Sequence, residues 1–201
     1  MVASKPLIYV IRHGETDWNL EARLQGTQDI PLNATGRRQA NHNGQNLKDV
    51  LGKDVGEFDF VASPMQRTRE TMELVRKAMS LEAGDYRLDD RLIEVSFGDW
   101  EGHTLDELAV HVPERVAQRS NDKWNFIPPG ENAESYEILA WRIGAWLKDV
   151  TSPTVCVSHG GVIRTLFHLI AGTPGNEAAD LPTPQDRILK IEGDSIQWID
   201  D

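Results

Sequence analysis

Cysteine is nearly missing from this chain: Cys156 is the only one among 201 residues. One thiol forms no internal disulfide and no cysteine-rich zinc site, and it fits a reducing compartment. The first arginine after it, Arg164, gives a C-x₇-R spacing rather than the C-x₅-R loop of cysteine phosphatases, so thiolate chemistry is not expected. Positive charge is also scarce, with 21 Lys and Arg against 32 Asp and Glu and a net charge of −11. That balance argues against broad attraction to nucleic acid or to an anionic membrane, so an anionic ligand must be held by a few local groups. Long apolar runs are missing too. The first run, residues 7–11, is too short for a signal h-region or a membrane span. The expectation is a cytoplasmic protein with neither nucleic-acid nor membrane partners, monomer or homodimer. No repeat, low-complexity tract or dividing linker is present, which predicts a single domain over residues 1–201.

What is present alternates strands with helices. Residues 7–11 and 154–157 are apolar, β-branched-rich runs of the kind buried on both faces of a parallel sheet, and residues 58–62 make a third. Helical spacing follows at residues 37–51, at Met65, Met72, Val75 and Met79, at residues 136–150, and at Val162, Ile163, Leu166 and Phe167. Pro64 suits the first turn of the second of these helices. Residues 187–191 and 195–199 read as a hairpin around Gly193-Asp194 that closes the sheet edge. The fold expected is a three-layer α/β/α class with a mostly parallel central sheet flanked by helices. Residues 98–130, richer in Trp, His and Pro, read as a small helical and loop cover over the active site.

Two of the strands end in His-Gly, at His13-Gly14 and His159-Gly160. In an open α/β sheet ligands sit beyond the carboxyl ends of the strands, so both pairs lie where a site belongs. A glycine lets a bulky anion approach the backbone, and Arg12 offers a planar fork of donors to phosphate oxygens. Arg67 stands at the start of the helix after the third strand, where its charge adds to the positive helix end. Glu94 is the best candidate acid, because a carboxyl facing a phosphate holds its proton more tightly against the like charge. Taken singly, His13 is an ordinary loop histidine and Glu94 a surface partner for Arg91. Together with Arg12, Arg67 and His159 they make a phosphoryl-transfer set: cations around the equatorial oxygens, a nucleophile and an acid. His42, His103, His111 and His168 read as structural or exposed. Trp100 and Trp124, in the cover, are candidates for lining a leaving group.

These residues fall into five stretches in order: Arg12-His-Gly-Glu-Thr-Asp-Trp-Asn19; Glu21-Ala-Arg-Leu-Gln-Gly26 with Gly36-Arg-Arg-Gln-Ala40; Ser63-Pro-Met-Gln-Arg-Thr-Arg-Glu-Thr71; Glu94 with Phe97-Gly-Asp-Trp-Glu-Gly102; and Val157-Ser-His-Gly-Gly161. The set resembles the histidine phosphatase superfamily, whose other well-known branch is the cofactor-dependent phosphoglycerate mutases. The resemblance implies His13 as a nucleophile forming a phosphohistidine, Glu94 as proton donor, and Arg12, Arg67 and His159 around the phosphoryl oxygens. It places Asn19, Gln25, Gly26 and Gly160 beside the substrate. It implies a small phosphomonoester as partner, no metal, and no cofactor, with 2,3-bisphosphoglycerate as primer only in a mutase. The stretch Pro128-Pro-Gly-Glu-Asn-Ala-Glu-Ser135 departs from the family's Gly-Gly-Glu-Ser, which leaves Glu131, Glu134 and Ser135 without a role. Length favours a phosphatase. A mutase is the alternative, and a non-catalytic phospho-ligand binder a distant third.

Overall fold

The structure, a computed structural model, describes residues 6–199. In chain order it contains β1 (Ile8–Arg12), α1 (Asp17–Leu20), α2 (Ala34–Leu51), β2 (Asp59–Ala62), α3 (Gln66–Ala78), β3 (Arg87–Leu88), α4 (Leu105–His111), α5 (Pro113–Asn121), α6 (Tyr136–Asp149), β4 (Thr154–Ser158), α7 (Gly160–Ala171), α8 (Gly175–Asp180), β5 (Ile188–Glu192) and β6 (Ser195–Trp198). The strands form one sheet in the order β3-β2-β4-β1-β5-β6. The first four are parallel, and β5 and β6 run antiparallel at one edge. Helices cover both faces, as the apolar runs predict.

The two-residue period of the strands divides the core. Tyr9, Ile11, Phe60, Ala62, Val155 and Val157 point to the layer of α2 and α3, where they meet Leu47, Met72 and Val75. Ile8, Val10, Val61 and Cys156 point the other way, against Leu139, Ile143 and Trp146 of α6 and Val162, Ile163 and Leu166 of α7. Cys156 is thus a buried core side chain, and burial pushes its thiol up, away from reactivity. The hairpin of β5 and β6 lies where residues 187–199 place it, with Gly193 at φ +62°.

Several details differ from expectation. Helix α3 starts at Gln66, so Pro64 sits ahead of it rather than in its first turn. Strand β3 pairs only two exposed residues with β2 and carries no apolar signal. Trp100 and Trp124 are core residues: Trp100 packs on Phe126, and Trp124 stacks on Tyr136 while its indole N–H donates to Glu137 Oε2. Both are therefore core packing residues, with the indole N–H of Trp124 paired, rather than side chains presented at the surface of the cover. Within residues 98–130 the cover takes the expected form, with a 3₁₀ turn at Gly98–Trp100 followed by α4 and α5. No helix among the described residues is long and apolar enough to cross a membrane.

Candidate active site

Strands β1 and β4 are hydrogen-bonded neighbours, with Arg12 in register with Ser158. The ladder therefore delivers His13 and His159 side by side at the carboxyl end of the sheet. Their rings meet edge to face, 5.3 Å between centroids, and both are buried. The Nδ1–H of His13 donates to the carbonyl of Gly14 at 2.8 Å, which fixes the tautomer and leaves the Nε2 lone pair available. His159 makes its bond through Nε2, to Ser63 Oγ at 2.8 Å, and its Nδ1 has no partner.

The arginines are held from behind. Arg67 donates through Nη1 and Nη2 to the carbonyls of Gln28 and Gly26, at 2.6 and 2.8 Å. Arg12 donates through Nη1 to the carbonyl and hydroxyl of Thr183, at 2.7 and 3.3 Å. In each case the remaining buried Nε–H is unpaired, and so is the buried side-chain oxygen of Gln25. Buried donors without partners are costly, and these two N–H groups are of the kind that an anion's oxygens satisfy. Burial lowers the Arg12 guanidinium to about 10 and pulls Arg67 down as well, while the charge of Glu94 opposes both shifts. Burial, then the positive charges of Arg67 and Arg12, hold His13 well below 6.5. His159 is lowered by burial, then by Arg67, His13 and Arg12. Both shifts favour the neutral ring, and His13 keeps its Nε2 lone pair available.

Glu94 reaches the same place from the loop after β3. Its carboxylate accepts from Val95 N at 2.9 Å and from Gly161 N, in the first turn of α7, at 3.1 Å. It does not pair with Arg91, which is occupied by Asp89 and Asp149. At Gly161 and Gly160 a side chain would displace neighbouring groups of the site. A Cβ on Gly161 would lie 2.2 Å from Glu94 Oε1, and one on Gly160 would lie 2.9 Å from Thr183 Oγ1 and 3.4 Å from Arg12 Nε.

The five expected catalytic positions thus converge, with Gln25, Gly26 and Gly160 around them. Asn19 differs: its side-chain oxygen accepts from Thr16 N, Thr16 Oγ1 and Gln185 Nε2, which ties down the loop that carries His13. Four supporting residues were not among the sequence candidates. Ser63 holds His159, and Thr183 holds Arg12. Gln185 bridges Asn19 and the His13 carbonyl. Arg142 donates to the carbonyls of Arg91, Ile93 and Glu94 and pairs with Glu134. That last contact gives Glu134 its role, and Ser135 caps α6 by accepting from Ile138 N. The Ser-Pro stretch ahead of Arg67 signalled the neighbourhood of Ser63; the contacts of the other three with Arg12, His13 and the Glu94 loop span 48 to 172 residues and leave no local mark.

The model of the histidine phosphatase superfamily (branch 1) matches residues 8–199. The chain belongs to this superfamily. Among its relatives, the uncharacterized phosphatase PhoE of Bacillus subtilis is 34% identical over 173 residues, covering 82% of this chain and 77% of PhoE. The probable phosphoglycerate mutase GpmB of Salmonella paratyphi C is 30% identical over 197 residues, covering 96% of this chain and 87% of GpmB. The structure of a mycobacterial glucosyl-3-phosphoglycerate phosphatase with VO₃ superposes with a TM-score of 0.76 at 25% identity, covering 96% of each chain. This histidine phosphatase relative is therefore an enzyme of the phosphatase or mutase type.

Proposed function

We propose that the protein is a metal-independent phosphatase that hydrolyses small phosphomonoesters through a phosphohistidine on His13. The observation that carries this reading is the free Nε2 of a neutral, tautomer-fixed His13, set among the unpaired N–H groups of Arg12 and Arg67 and the unpaired Nδ1 of His159. His13 Nε2 attacks phosphorus, the ester P–O bond breaks, and the departing alkoxide takes the proton of Glu94. Water then attacks the phosphohistidine and gives a proton back to Glu94; phosphate leaves and His13 returns to its first state. Two guanidiniums supply the positive surroundings a metal gives elsewhere, with the neutral ring of His159 beside them. The PhoE and glucosyl-3-phosphoglycerate phosphatase relatives support hydrolysis. The likeness to GpmB over nearly the whole chain favours one second reading, phosphoryl return to a glycerate hydroxyl.

Phosphorus NMR separates the two. With p-nitrophenyl phosphate, 3-phosphoglycerate, other monoesters, a trace of 2,3-bisphosphoglycerate and EDTA, inorganic phosphate is expected to grow. His13→Ala should slow that growth more than about 10³-fold. Formation of 2-phosphoglycerate without phosphate release makes the protein a mutase, and undiminished activity in His13→Ala removes both readings.

A further inference from the structure

Next to the phosphate site the structure gathers positive charge that the mechanism above does not use. Arg164 lies one turn along α7 from Gly160, on the same helix face, and its Nε donates to the Leu181 carbonyl at 3.0 Å. The Thr183 group that anchors Arg12 is two residues further on, so one short stretch holds both guanidiniums. Arg164 Nη1 also donates to the Tyr136 hydroxyl at 3.2 Å. Arg119, in the last turn of α5, is half-buried, and its guanidinium donates to no group among the described residues. Its charged and titratable neighbours are Tyr136, Arg164 and Asp180. Lys123 completes the row and is paired with Asp180 at 2.7 Å. Burial lowers both Arg119 and Lys123, and the charge of Arg164 lowers them further.

Four cations in a row, Arg12, Arg164, Arg119 and Lys123, face few carboxylates in a chain whose net charge is −11. On the far side of Glu94 the reverse holds. There a cleft of about 800 Å³ is lined by Asp90, Asp99, Glu101 and Glu131, which repel an anion.

We propose that Arg119 and Arg164 form a subsite for a second anionic group, carboxylate or phosphate, on the alcohol portion of the substrate. The proposal rests on the phosphoester reading of the adjacent site. A free guanidinium offers such a group two parallel N–H donors from a place already short of negative charge.

Binding tests it apart from turnover. Calorimetry on His13→Ala, which forms no phosphoenzyme, compares two matched pairs: 3-phosphoglycerate with glycerol 3-phosphate, and fructose 1,6-bisphosphate with fructose 6-phosphate. The doubly anionic member of at least one pair is expected to bind roughly tenfold tighter or more, as a charge-assisted contact implies. Preference in the first pair assigns a carboxylate, and in the second a phosphate. Adding Arg119→Gln should bring the ratio close to one, and Arg119→Lys should keep part of it. Thermal shift of the otherwise unaltered protein with the same ligands repeats the comparison without the His13 change. No preference in either pair, or a preference that Arg119→Gln leaves standing, overturns the subsite. Preference without phosphate release by the unaltered protein from any ester keeps the subsite and removes the phosphatase reading.

Discussion

At the scale of single residues, the acid step depends on a missing side chain. Gly161 leaves room for the Glu94 carboxylate, and its own N–H holds that carboxylate in place. Gly161→Ala puts a methyl group into Glu94 and turns it away. General acid catalysis contributes about 10²–10⁴-fold, and it matters most where the leaving oxygen is strongly basic. The variant is therefore expected to lose far more kcat/KM, which reports the first step, on alkyl phosphates such as glycerol 3-phosphate than on p-nitrophenyl phosphate. Equal losses on the two esters would mean that Glu94 does not protonate the leaving group.

At the scale of elements, the strands that end at His13, Ser63 and His159 were readable from their apolar runs and the His-Gly or Ser-Pro that follows each. Residues 7–11 and 154–157 are buried on both faces, and such strands write themselves as unbroken hydrophobic runs. Strand β3 could not be read, since two exposed residues on a sheet edge need no pattern. The same division holds in the site. His13, Arg67 and Glu94 were visible in short motifs, whereas Thr183 accepts from Arg12 and Gln185 and Arg142 donate to distant backbone carbonyls, contacts that leave no local pattern in the sequence. Arg142 shows the consequence. Set in the middle of α6, it donates to the carbonyls of Arg91, Ile93 and Glu94 and fastens the loop that carries Glu94 to a long helix. Arg142→Met should lower kcat about tenfold or more with a smaller change in KM, since misplacing a catalytic group by ~1 Å is enough for a loss of that order. A variant that loses thermal stability and keeps its kcat would make the grip structural only.

At the scale of the whole molecule, two buried neutral histidines couple folding to pH. Unfolded, they titrate near 6.5, while in the native state both are held well below that. Below pH 6.5 the unfolded chain takes up protons that the native chain refuses, so stability falls as pH drops from 6.5 toward the native values, and these groups add no slope above it. A plot of Tm against pH should be level from 8 to 7 and descend from 6.5 to 5, with a shallower descent in His13→Gln. Parallel curves for the two proteins would place His13 in an ordinary, water-exposed environment.

The backbone ladder between β1 and β4, and not the cover, sets the distance between the two histidines. The geometry of the histidine pair therefore belongs to the sheet and not to residues 98–130. The histidine pair and the arginine at the end of β1 come from two strands threaded through the middle of the sheet, while residues 98–130 and the charges on α5 hang from its rim. Substitutions confined to the exposed face of α5 are therefore expected to leave the spacing of the histidine pair unchanged.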